Sequence, residues 1–165
     1  MYRTVLALAS AALMLSASAA AAQETEPPPE LPPIEACGST VTIEVLKAEL
    51  NERLGETSFA VSGNFVLRIS DEDSSVVVRT PGRVTGEETE TGGILTQTGR
   101  TLLVANPEFP FQAEAIARAG LPELPLIIGK VVITDTFDPV TGAPTGQEIT
   151  SVKGRVIDVC ELLAR

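Results

Sequence analysis

Residues 126 to 159, LIIGKVVITDTFDPVTGAPTGQEITSVKGRVIDV, decide the fold class. They open on the most apolar run of the chain after the N-terminus, Leu126 to Asp135, and close on a second β-branched run, Gln147 to Val159. Between them, 138 to 146 supplies Pro139, Gly142, Pro144 and Gly146. Proline fixes φ and glycine admits φ > 0, so such a cluster turns the chain. Two β-branched runs about one turn predict a long hairpin.

Working upstream, the same grammar recurs. Val41, Ile43 and Val45 alternate with Thr40, Thr42 and Glu44, the period of a half-buried strand. Residues 58 to 70 are strand-like, with Gly63-Asn64 predicting a bulge or bend. Asp71 to Ser74 is a polar turn leading into Val76 to Thr80, so these pair as a hairpin. Pro81-Gly82 predicts a break, Arg83 to Thr85 a resumption, 87 to 93 an acidic loop and 94 to 105 another strand, interrupted at Gly99. Two segments depart from the pattern. Leu46, Leu50 and Leu54 recur at helical spacing, with Glu49 and Arg53 four apart, which predicts a short helical turn ending at Gly55. Within 106 to 125, Phe111 to Ala119 has the composition of a short helix stopped by Gly120 and Pro122. The stretch from Phe109 to Pro125 is either a lid over a ligand or partner surface or a plug for the open end of the core. About six to eight strands at this spacing predict an all-β domain, an antiparallel β-sandwich or small β-barrel with one short helix.

The chain begins with a single charge, Arg3, followed by an uncharged stretch that ends in Ala20-Ala21-Ala22. This is the form of a cleavable signal peptide, residues 1–22, and it places the mature protein outside the cytoplasm, secreted or in the cell envelope, with no stable membrane span after cleavage. Residues 23–36 carry five prolines and four acids and predict an extended linker. Residues 37–165 form the domain. Cys37 and Cys160 stand at its two ends, and in an oxidising compartment they are expected to form a disulfide.

Composition removes whole classes of chemistry. Loss of residues 1–22 takes away Tyr2, Met1 and Met14, so the mature chain holds no His, Trp, Tyr or Met. Histidine-based catalysis and most zinc sites go with them, and so do aromatic platforms built on Trp or Tyr. No cofactor is implied. The net charge of −10 becomes −11 without Arg3, which argues against a nucleic-acid partner. Asp71, Glu72 and Asp73 lack the glycine that a calcium loop needs at its sixth position, where Val76 stands.

One motif recurs. Gly82-Arg83-Val84, Gly99-Arg100-Thr101, Gly129-Lys130-Val131 and Gly154-Arg155-Val156 each join a glycine, a cation and a β-branched residue inside a predicted strand. If Arg83, Arg100, Lys130 and Arg155 converge inside a barrel, they form a binding site for a small anion. If they point outward, they are solvated charges beside bends.

Gly154 to Leu163, with Ser62 to Val66 and Pro81-Gly82-Arg83 upstream, resembles a group of small secreted bacterial β proteins, frequent in actinomycetes. Those end in a Gly-Arg-x-x-Asp-x-Cys-x-x-Leu pattern. The resemblance implies an all-β fold and export, and it carries over no active site. The expected function is accordingly a non-catalytic domain, binding or structural. The alternatives are a small-anion or apolar-ligand binder that uses the barrel interior, and a hydrolase working through paired carboxylates or a Ser-Lys pair.

Overall fold

The computed structural model describes residues 31–165. The expected signal segment and most of the expected linker lie outside these residues. Seven strands run as β1 (Ile34–Ala36), β2 (Ser39–Leu54), β3 (Ser58–Ser70), β4 (Ser75–Thr89), β5 (Gly92–Leu102), β6 (Pro125–Phe137) and β7 (Pro144–Asp158), with helices α1 (Pro110–Arg118) and α2 (Val159–Leu163). They form one antiparallel sheet in sequential order, β1 to β7, curled into a half-barrel. The domain is all-β, as the turn spacing predicts, with β6 and β7 as the long hairpin.

Several local expectations give way to pairing. Residues 46 to 54 extend β2 rather than forming a helical turn, because every residue from Lys47 to Leu54 is matched against β3, from Val66 back to Phe59. Leu46 stands at a register shift in that ladder, and its spacing with Leu50 and Leu54 reflects no helix. Strand β4 runs unbroken through Pro81. The β4–β5 ladder begins only at Gly82, so Pro81 stands where no β5 partner requires its missing N–H. Ile34 to Ala36, at the end of the expected linker, pair with Val41 to Ser39. Ile34 and Ala36 are buried there, which is what turns the end of a tether into a strand. The last residues form a second short helix, α2, whose first turn is capped by the Asp158 carboxylate accepting from the Cys160 N–H at 2.9 Å.

Two cores fill the curl. The first gathers Ile43, Val45, Leu67, Ile69 and Val78 from β2 to β4 with Leu102, Leu126, Val159 and Leu163 from the opposite side. The second joins Leu95, Ile127, Val131 and Ile133 to Leu103 and to Ile116 of α1. Leu102 and Leu103, like Leu126 and Ile127, are neighbours that enter different cores. The end of β5 and the start of β6 are therefore a wall with apolar contacts on both faces, and 124 to 127 is accordingly a continuous buried run.

Cys37 and Cys160 form a disulfide with Cα atoms 5.1 Å apart. Cys37 lies in the turn after β1 and Cys160 in the helix after β7, so the bond ties together the two outer strands that the half-barrel leaves apart. The approach to β6 fills the seam. Glu123 Oε2 accepts from the Cys37 N–H at 2.7 Å, and the Leu124 carbonyl accepts from the Val159 N–H at 3.1 Å.

Candidate functional site

Strand pairing brings five glycines into one row across the sheet: Gly63 opposite Gly82, then Gly99, Gly129 and Gly154. Gly99, Gly129 and Gly154 have φ of 106°, 151° and 125°, a region that L side chains rarely adopt. A Cβ on Gly129 would collide with the Lys153 carbonyl oxygen, and one on Gly154 with that of Ile128. The row is the line along which the sheet folds, and the backbones approach there too closely for any side chain.

Beyond this line β4 and β5 part company, since their ladder stops at Gly82 and Gly99. A cleft of about 100 Å³ opens beside the row. Its walls are Leu50, Val61, Phe65, Leu67, Val84 and Leu102, with Thr80, Thr101, Glu52, Arg83 and Arg100 also contributing. Gly63 and Gly82 of the row line it too, as does Gln97 on β5, which is 1% exposed. In register it lies between Val84 and Val131. Among the described residues, neither its Oε1 nor its Nε2 has a hydrogen-bond partner. Burying an amide unpaired costs about 1 to 3 kcal/mol, so Gln97 opposes the fold where an apolar side chain would support it.

The four predicted cations do not gather inside the curl. Arg83, Arg100, Lys130 and Arg155 are all exposed. Arg83 and Arg100 share the lining of the cleft, while Lys130 and Arg155 take no part in it.

The acidic turns serve the backbone. Asp71 Oδ1 accepts from the N–H groups of Asp73 and Ser74 and from the Ser74 hydroxyl. Asp138 Oδ1 accepts from the N–H groups of Val140 and Thr141. These bonds favour the ionised form and hold both carboxyls below their ordinary range, with the Ser74 N–H the largest cause at Asp71 and the Thr141 N–H at Asp138. Asp135 is 3% exposed and accepts from Gln147 Nε2 at 2.7 Å. Among the described residues no three potential ligands assemble a metal site.

Helix α1 lies against β7, with Ala115 buried and Ile116 packed into the second core. Its Arg118 donates to the Gln147 carbonyl of β7 at 3.1 Å. A broad cleft of about 540 Å³ remains between α1 and β7, with Glu114 and Glu148 as its carboxylates. Glu114 is paired with Arg118 at 3.8 Å. The cleft beside Gln97 holds one carboxylate, Glu52, and neither Ser nor Lys.

No protein-family model, characterised protein or solved structure matches this chain. The site therefore rests on its own geometry.

Sequence reasoning missed Gln97. Its one signal is phase: Gln97 falls two residues after Leu95, on the buried side of β5. In a stretch reading Ile-Leu-Thr-Gln-Thr, where both phases carry an apolar residue, that phase is legible only once the pairing is known.

Proposed function

We propose that the protein is a non-catalytic binding domain that works outside the cytoplasm and holds a small, mainly apolar molecule bearing a carboxamide. The observation that carries this reading is the buried, unpartnered Gln97 amide beside an apolar cleft. A carboxamide presents one donor and one acceptor in the same plane as those of Gln97, and two such groups satisfy each other with paired hydrogen bonds. A carboxylate would answer only the NH₂ half. Capacity limits the molecule's body to a few carbons, since a cavity of about 150 Å³ accommodates a benzene ring. The extracytoplasmic setting is supported by the disulfide and by the N-terminal signal pattern. A single carboxylate, Glu52, and the absence of a Ser-Lys pair in the cleft beside Gln97 favour binding over hydrolysis there.

The test is a titration with acetamide, propionamide and isobutyramide, following the Gln97 side-chain NH₂ resonances and the melting temperature. At least one amide is expected to shift the Gln97 signals, raise the melting temperature and lose both effects in Gln97→Met. If all three leave Gln97 unmoved while the protein stays folded, the reading is overturned.

A further inference from the structure

The glycine row carries a second feature, independent of the cleft reading. On β4 to β7 the glycines and their immediate neighbours are Pro81-Gly82-Arg83, Thr98-Gly99-Arg100, Ile128-Gly129-Lys130 and Lys153-Gly154-Arg155. These residues include five cations and no acid, in a chain where acids outnumber bases 22 to 12. All five cations are exposed. The ion pairs of the described residues involve Lys47, Arg68 and Arg118, and none of the five.

Register brings them together. Arg83 and Lys130 both pair with Thr98, and Lys130 lies directly opposite Lys153. Arg100 and Arg155 flank Ile128 on the other side of the row. With strands about 4.8 Å apart, β4 to β7 spans about 15 Å, so the belt is compact. Like charges directly opposite one another destabilise a sheet. Nothing in the packing requires Lys130 and Lys153 to be cationic, and among the described residues no acid is ion-paired with either.

We propose that this belt docks a linear phosphate polymer. Directly opposed lysines, whose Cβ atoms stand about 5 Å apart, flanked by arginines with forked guanidinium groups, suit oxyanions that spread charge over several oxygens. No aromatic ring stands among these residues, so the belt offers no stacking platform for bases, which favours a polymer without them over a nucleic acid. A flexible chain follows a curled strip, whereas a flat bilayer touches it along a line. The acidic turns at Asp71 and Asp138 lie at the strand ends, and at physiological salt charges more than about 8 Å apart are largely screened. Glu52 shares the cleft lining with Arg83 and Arg100 but is ion-paired with neither, so these turns and Glu52 leave the belt its charge.

The experiment uses fluorescence anisotropy with labelled inorganic polyphosphate from low to physiological salt. Binding is expected to weaken steeply with salt. Lys130→Gln/Lys153→Gln/Arg155→Gln, which alters exposed residues outside the cleft lining, is expected to weaken binding about tenfold or more and to reduce the log–log salt slope by about 2. Lys47→Gln/Arg53→Gln, with the same kind of charge loss elsewhere, is expected to leave binding unchanged. The proposal is overturned if the wild-type protein ignores polyphosphate at low salt or if the triple variant binds as before. It is also overturned if poly-aspartate, single-stranded DNA or phosphatidylglycerol vesicles bind more tightly at equal charge.

Discussion

At the end of the half-barrel where Cys37 meets Cys160, the core is built of apolar side chains and is covered. Strand β1, the 123–126 segment and α2 close it, and a covalent bond holds the closure. Beside the glycine row, the same sheet does the reverse. Its strands part, a cleft opens, and a buried amide goes without a partner. A sheet whose neighbours in space are its neighbours in sequence depends on each hairpin in turn. The stapled end can then supply the stability that a polar, open middle consumes.

The contrast can be broken most severely at the staple. Cys37→Ser/Cys160→Ser removes a crosslink between residues 123 apart in sequence, and in the chain-entropy picture this lowers stability by about 5 kcal/mol. Chemical denaturation measures it, and hydrogen exchange is expected to show β1 and α2 losing protection first. Gly129→Ala comes next, with a loss of about 3 kcal/mol or more, because the new methyl meets the Lys153 carbonyl in a backbone conformation foreign to alanine. Gly120→Ala, at φ 68° with open space around it, is expected to cost about 1 kcal/mol. Equal losses at the two glycines would remove the fold line from the account.

Gln97→Met runs in the opposite direction. Relieving an unpaired buried amide is expected to raise stability by about 1 to 2 kcal/mol, a rise of several degrees in melting temperature. A loss instead would mean that Gln97 supports the fold. The smallest effect belongs to the turns. The carboxyls of Asp71 and Asp138 are held below their unfolded value of 3.8, so their stabilisation is present above that pH and is lost as the pH falls through the lower, folded values. In Asp71→Asn/Asp138→Asn, a melting curve taken between pH 2 and 6 is expected to fall less steeply below about pH 4 than in the wild type.

Alternation at Val41 to Val45, the Asp71 turn and the 126–159 hairpin were legible because local pattern and tertiary pairing agree there. They disagree at Leu46 to Leu54, where apolar residues at helical spacing lie on a strand held by the β3 backbone, and backbone pairing is indifferent to that spacing. The recurrence of glycine beside a cation was visible in the chain as four separate motifs. Their merging into one row, joined by Gly63, depends on register, which no single strand encodes. Gln97 was hidden for the same reason.

The disulfide also has a mechanical consequence. A pull applied between a residue before Cys37 and one after Cys160 travels through two Cα atoms 5.1 Å apart and bypasses the 122 residues of sheet and helix between them. Tugged by its ends in an oxidising medium, the domain bears load as a short covalent link, and the ladders from β2 to β7 are bypassed, leaving the short β1 pairing ahead of Cys37 as the one ladder in the line of force.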